Sequence, residues 1–353
     1  MNAGTIWWGR MGTSIRFLNR VTDCLQESRS VILQLPERFP WREQFYEQID
    51  FRRERFSIHR RLVRMDWRAG DSPGSFVLRE LCPRSVQADY WPGQTVAEYL
   101  GSLGTLELCG FYVWIRGLRS REDLISWADF TAKYEAASSR LERRAVFVLE
   151  YEGPAHHSAS LPSAAYQCDE YDTRAFCLEL SSEGRDTVNR GYLVELAVRI
   201  GGDDPELCAA LLSAGQWLPE DPVSVAQSVL SEQSHSDGQP FARMEESGIA
   251  SVVWRAAVVL LFPVLEGFRF AFISRHASEL ARYLPITNSN GDRVTEPFDL
   301  ELGSLFYVVS TASYAFSPEE AEQVSLCRNV RNLLAHNKPV PYRDVEAVLS
   351  LQS

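Results

Sequence analysis

The periodicity of the chain changes once, and that change constrains the fold more than any other feature. Up to about residue 180, short apolar runs alternate with helical patterns; beyond about Asp186 only helical patterns follow. The apolar runs stand at Ser30–Leu35, Ile58–Met65, Phe111–Ile115, Ala145–Leu149 and Phe176–Leu180. Short β-branched and aromatic runs of this kind read as strands buried on both faces. Helical patterns intervene at Ser14–Leu25, at Trp41–Ile49 with Pro40 at the first helical position, at Ser75–Leu81, at Val96–Leu100, and from Ser120 to about Arg140. Strands alternating with helices predict an α/β domain with a mostly parallel sheet.

The second half reads as helices at Val188–Ile200, Pro205–Leu218 and Pro222–Glu232, then a polar linker, Gln233–Pro240. A long apolar helix follows, Ile249–Tyr283, kinked at Pro263, and then a loop rich in Asn, Gly and Pro over 285–299. Leu302, Leu305, Phe306, Val309 and Phe316 recur at helical spacing. Ser317-Pro318-Glu319-Glu320 is a capping box with proline in the first turn, so a last long helix begins there and ends near Asn337, before Pro339. The expected organisation is an α/β domain over 1–185, a helical connector or lid over 186–232 and an all-α bundle over 241–353.

Several function classes drop out. The only lysines are Lys133 and Lys338, neither in a glycine-rich context, so the chain carries no P-loop lysine and is not expected to be an ATPase. With 36 Lys+Arg against 47 Asp+Glu, the net charge of −11 counts against a protein that coats DNA. Seven scattered cysteines without a CxxC favour reduced, mostly buried thiols in a cytoplasm over a disulfide framework or a zinc ribbon. The amino terminus lacks the basic start and apolar core of a signal peptide. The apolar run Ala256–Leu265 falls short of the roughly 20 residues of a membrane span, and no membrane association is expected.

The last long helix carries the strongest chemical signal. At 100° per residue, Ser325, Arg328, Asn329, Asn332 and His336 form one polar stripe, Arg331 sits on its flank, and Leu326, Val330, Leu333 and Leu334 make the apolar face. Arginine neutralises phosphoryl oxygens and histidine moves protons, so this set suits a scissile phosphate. Arg331-Asn332-Leu333-Leu334-Ala335-His336 resembles the R-polar-x-x-x-H motif of the HEPN superfamily, helical domains found in prokaryotic toxins, antiviral effectors and RNA-processing ribonucleases. The likeness covers about residues 241–353. It implies metal- and cofactor-independent RNA cleavage in which a ribose 2′-OH attacks the adjacent phosphorus, leaving a 2′,3′-cyclic phosphate and a 5′-OH. Arg331 would bind the phosphate, His336 would act as general base or acid, and Asn332 would position the histidine or bond the substrate. Arg328 matches no motif position but lies on the stripe as an added phosphate contact. The resemblance also implies a homodimer sharing one cleft. Some HEPN domains are silent partner-binding modules, and a non-enzymatic scaffold in a multi-protein defence complex stays open as the alternative.

The first half resembles an AAA+/STAND-type P-loop NTPase fold with its phosphate site lost. The segment after the first strand, Pro36-Glu-Arg-Phe-Pro-Trp41, has no glycine to form a nest of N–H groups. Glu150 and Glu152 read as a strand end or salt-bridge partners. The domain is expected to act as a sensor or docking module. Arg52, Arg53, Arg55, His59, Arg60, Arg61, Arg64 and Arg68, with Phe56 and Trp67, form the most basic stretch and are candidates either for nucleic-acid contact or for solvated ion pairs. His156 and His157 with Asp169, Glu170 and Asp172 read as loop residues more readily than as a metal site. Trp7 and Trp8 either pack internally or mark an interface.

Overall fold

The computed structural model describes every residue except 1, 57–59, 104–105, 142, 155–160, 183–186, 289–290, 313 and 353. The chain forms two compact units, Met1–Asp172 and Thr173–Ser353.

The first unit runs α1 (Ala3–Arg10), α2 (Gly12–Gln26), β1 (Val31–Gln34), α3 (Arg42–Arg53), β2 (Arg61–Asp66), α4 (Pro73–Leu81), α5 (Arg84–Asp89), α6 (Val96–Ser102), α7 (Leu106–Cys109), β3 (Phe111–Leu118), α8 (Arg121–Ala137), β4 (Val146–Tyr151) and β5 (Ser163–Ala165). The strands form one sheet in the order β2-β3-β4-β1-β5, and every pairing is parallel. Side chains alternate across a strand, so the sheet feeds two cores. Val113, Ile115, Phe147 and Leu149 pack with Trp127 and Tyr134 of α8. The opposite face carries Trp114, near Phe45 and Tyr46 of α3. Trp7 and Trp8 are fully buried. The Trp7 indole donates to Tyr166 Oη at 3.0 Å, and that of Trp8 to the carbonyls of Pro40 and Trp41 at 3.0 and 3.2 Å. Internal packing is therefore their role.

The second unit is helical: α9 (Glu170–Leu180, whose first turn belongs to the first unit), α10 (Thr187–Gly201), α11 (Pro205–Ser213), α12 (Trp217–Glu220), α13 (Pro222–Glu232), α14 (Glu246–Ala281), a two-stranded ribbon of β6 (Ile286–Thr287) and β7 (Arg293–Val294), then α15 (Leu302–Thr311), α16 (Pro318–Ala335) and α17 (Tyr342–Leu349).

Several expectations need correction. The run 176–180 is helix, not strand: Thr173, Phe176 and Cys177 are its buried residues, which is the spacing of one helical face. Pro40 precedes the helix instead of opening it, because Trp41 is the N-cap, in a left-handed conformation at φ 43°. Gly215, at φ 64°, separates α11 from α12 where one helix was expected. The polar segment 233–240 is no loose linker: His235 bonds Asp204 and Gln239, and Ser236 donates to Glu206. α14 continues through Pro263, and its non-helical residue is His276. This helix alone among those described is long and apolar enough to cross a membrane, which the run 256–265 by itself did not reveal. Ile249, Ala256, Leu261, Leu265 and Ile273 are buried, on a helix that packs with α10, α13, α16 and α17. All seven cysteines are free thiols, five buried and two half-buried.

Candidate functional site

The motif helix is built as its sequence directs. The Ser317 hydroxyl accepts from the Glu320 amide at 3.2 Å, while the Glu320 carboxylate accepts from the Ser317 amide at 3.0 Å. Glu320 also meets Nε2 of His276, at the irregular turn of α14, at 2.8 Å. The backbone bond from Ser317, together with the histidine contact, holds its carboxyl below the usual range. Val324, Cys327, Val330 and Leu334 are buried. Leu326 and Leu333 are only half-buried, so the buried face centres on Cys327, Val330 and Leu334, diametrically across the wheel from Asn332 and His336. Burial pushes the Cys327 thiol up to about 12, so it is an inert core residue.

At its carboxyl end the helix closes in a Schellman motif. Asn337 takes φ 53°, the Lys338 amide donates to Leu333 O at 2.9 Å and the Asn337 amide to Leu334 O at 3.3 Å. The Trp254 indole on α14 also donates to Leu334 O at 2.9 Å, fixing this end to the neighbouring helix. His336 is the C-cap residue; its imidazole is exposed and bonds no described residue.

Two arginines of the helix reach α15 or its N-cap. Arg328 lies over the Phe306 ring at 4.4 Å. Arg331 reaches Glu301, the N-cap of α15, at 3.6 Å, and donates to Asn332 Oδ1 at 3.4 Å. Asn332 thus meets Arg331 directly, and no described contact joins its side chain to the His336 imidazole. Arg328, Arg331 and Asn332 are half-buried and His336 exposed. None is sealed in hydrocarbon. A groove of about 700 Å³ in this unit lies against Phe268, Phe272, Arg275 and Gln323 and does not include the motif residues.

A second polar constellation occupies the carboxyl ends of β1 and β4 in the first unit. Glu150 is fully buried on the Trp114 face of the sheet. It accepts from Trp114 Nε1 at 2.8 Å and from the Tyr46 hydroxyl at 2.8 Å, and pairs with Nη1 of Arg42. Arg42 Nη2 reaches Glu152 at 2.6 Å. Burial raises the Glu150 carboxyl above its usual range against the opposing pull of Arg42. Desolvation raises the Tyr46 hydroxyl, with the Glu150 charge adding to it. The sequence signalled the acids at the strand end but not their partner, because Arg42 stands 108 residues away. Parallel sheets bind ligands outside the carboxyl ends of their strands; here a guanidinium fills that position.

The basic stretch divides: Arg52, Arg53, Arg60 and Arg64 are half-buried, while Arg55, Arg61 and Arg68 are exposed. Arg64 pairs with Asp50 at 3.0 Å and stacks on Tyr46 at 4.6 Å; Arg60 donates to Ser28 at 2.9 Å; Arg55 lies over Phe51 at 4.6 Å. His59, like His156 and His157, lies outside the described residues. Asp169 caps α9 through the amides of Tyr171 and Asp172, and Asp172 accepts from Thr13 at 2.5 Å. Among the described residues no three His, Cys, Asp or Glu side chains gather as a metal site would require. Compared with known protein families the chain matches no family model, and no curated protein matches it in sequence.

Proposed function

We propose that the carboxy-terminal unit is a metal-independent ribonuclease of the HEPN type, acting as a pair of copies in the cytoplasm as the effector of a prokaryotic antiviral or toxin system. The observation that carries this reading is the exposed His336 at the end of α16, with Asn332 about one turn before it and Arg328 just over two turns before it on the same stripe, Arg331 on the flank, and the helix's buried face across from His336. In the reaction, His336 takes the proton of a ribose 2′-OH as its oxygen bonds the adjacent phosphorus. The bond to the 5′-oxygen breaks, that oxygen picks up a proton, and Arg331 balances the charge growing on the phosphoryl oxygens. The pair between Arg331 and Glu301 does not stand in the way: its side chains are 42% and 71% exposed. An exposed pair of this kind contributes only about 0–1 kcal/mol, which a phosphate contact outweighs. The first unit is the sensor or docking module, a P-loop-like fold whose phosphate position is taken by Arg42.

The filled crevice also favours a second reading, a non-enzymatic subunit in which both halves are silent. RNA cleavage and growth arrest distinguish the two. The intact chain should cleave RNA to 2′,3′-cyclic ends, and the Arg331→Ala and His336→Ala variants should lose cleavage and toxicity while keeping their circular dichroism. Equal behaviour of all three proteins would leave the scaffold.

A further inference from the structure

The carboxyl edge of the sheet holds a second hollow, on the other side of β1 from the filled crevice. β5 leaves the sheet through Gln167, Cys168 and Asp169, and this segment faces the first turns of α2 across a cavity of about 480 Å³. That volume lies within the roughly 300–1,000 Å³ of small-molecule sites. Two cations line it. Arg16 and Arg20 stand four residues apart, hence one above the other on a single face of α2, and both are exposed. Arg16 is oriented by Thr13, whose hydroxyl accepts from Nη2 at 2.9 Å and donates to Asp172 at 2.5 Å. Arg20 has no ion pair or hydrogen bond with any described residue.

The acids of the hollow already accept hydrogen bonds from its own rim. Asp169 Oδ1 accepts two backbone amides at 2.9 and 3.0 Å. Asp172 gives one oxygen to Thr13 and the other to the Asp169 amide at 3.3 Å. The lining thus offers two guanidinium forks, that of Arg16 with one nitrogen on Thr13, and the Gln167 amide, beside two acids already hydrogen-bonded. Paired arginines with parallel N–H donors match the oxygens of a phosphate better than a carboxylate at one point or a neutral ligand. We propose that this hollow binds the phosphate group of a small phosphorylated molecule, held by Arg16 and Arg20, independently of what the motif helix does. The ligand of the first unit is then an anion seated beside β5, while the position between β1 and β4 stays closed by Arg42.

Calorimetric titration of the full chain tests this with three probes: ribose 5-phosphate, inorganic phosphate and ribose. Both phosphate probes should bind and ribose should not; tighter binding of the ester than of free phosphate assigns the source to a phosphomonoester, and the reverse order assigns it to free phosphate. Arg16→Ala and Arg20→Ala should each weaken phosphate binding by about tenfold or more, whereas Arg343→Ala, at an exposed side chain of α17, should not. Cys168 lines the hollow and is half-buried, so bound ligand should slow its alkylation by iodoacetamide, read by mass spectrometry. No binding of either phosphate probe at millimolar concentration overturns the assignment. So does unchanged affinity in both arginine variants, or equal binding of ribose.

Discussion

Replacing Arg42 by alanine tests the account of the first unit most directly. The Glu150 carboxylate has no exposure, and Arg42 is the cation that reaches it; the Arg42 side chain itself is 24% exposed. Removing one partner of a buried pair costs about 3–5 kcal/mol, because the remaining charge is left uncompensated. Partial exposure of Arg42 and the bonds that Trp114 and Tyr46 still donate place the expected loss near the lower end, about 3 kcal/mol. With a urea m-value of ~2 kcal/mol/M, that is a fall of about 1.5 M in the midpoint. Seven of the nine tryptophans lie in the first unit, so their fluorescence follows its unfolding. The effect has a definite pH sign. Burial raises the Glu150 carboxyl above its ordinary 4.5, so the folded state holds that proton more tightly than the unfolded chain. This group therefore favours folding in acid and opposes it as pH rises through and above 4.5. Losing Arg42 raises the carboxyl further, so the variant's deficit should be smallest in acid and grow towards neutrality. Adding Glu150→Gln removes the buried charge and should restore part of the stability. A midpoint change under about 0.5 M at neutral pH, or a double variant no more stable than Arg42→Ala, would refute the reasoning.

Three further outcomes can be checked by the same denaturation assays and by hydrogen exchange. Glu195, buried between Arg174 at 2.5 Å and Arg199 at 2.8 Å, is raised by desolvation but lowered further by the two arginines, and lies below the usual carboxylate range. Its contribution is present above the ordinary carboxylate value and lost as pH falls through the depressed one, so Glu195→Gln should destabilise at pH 7 and converge on the parent in acid. His235→Ala should cost about 2 kcal/mol and speed exchange of the Gly238 amide, since the ring ties Asp204 to Gln239. Gly101→Ala should cost about 1–3 kcal/mol, because an added methyl would stand 2.5 Å from the Ala137 side chain where α6 crosses α8; unchanged stability would show that the two helices can separate freely.

Local patterns were legible where one element's own residues decide its shape. The strands β1, β3 and β4 are apolar on both faces, and the capping box at Ser317 starts α16 where the spacing requires. β5 escaped notice because Ser163-Ala-Ala has no β-branched or aromatic residue; it is a strand because β1 offers it an open edge. The run 176–180 misled for the opposite reason, since a short apolar cluster fits a strand or one face of a helix equally well.

The polar stripe of α16 belongs to its sequence alone, because a helix of fixed pitch places Asn332 and His336 together whatever surrounds it. The surroundings decided what each group could do. Arg328 met Phe306, Arg331 met Glu301, and Arg42 met Glu150 through contacts between elements far apart in the chain. Such pairings depend on strand order and helix packing, which no local spacing encodes, and burial then sets their strength by removing water.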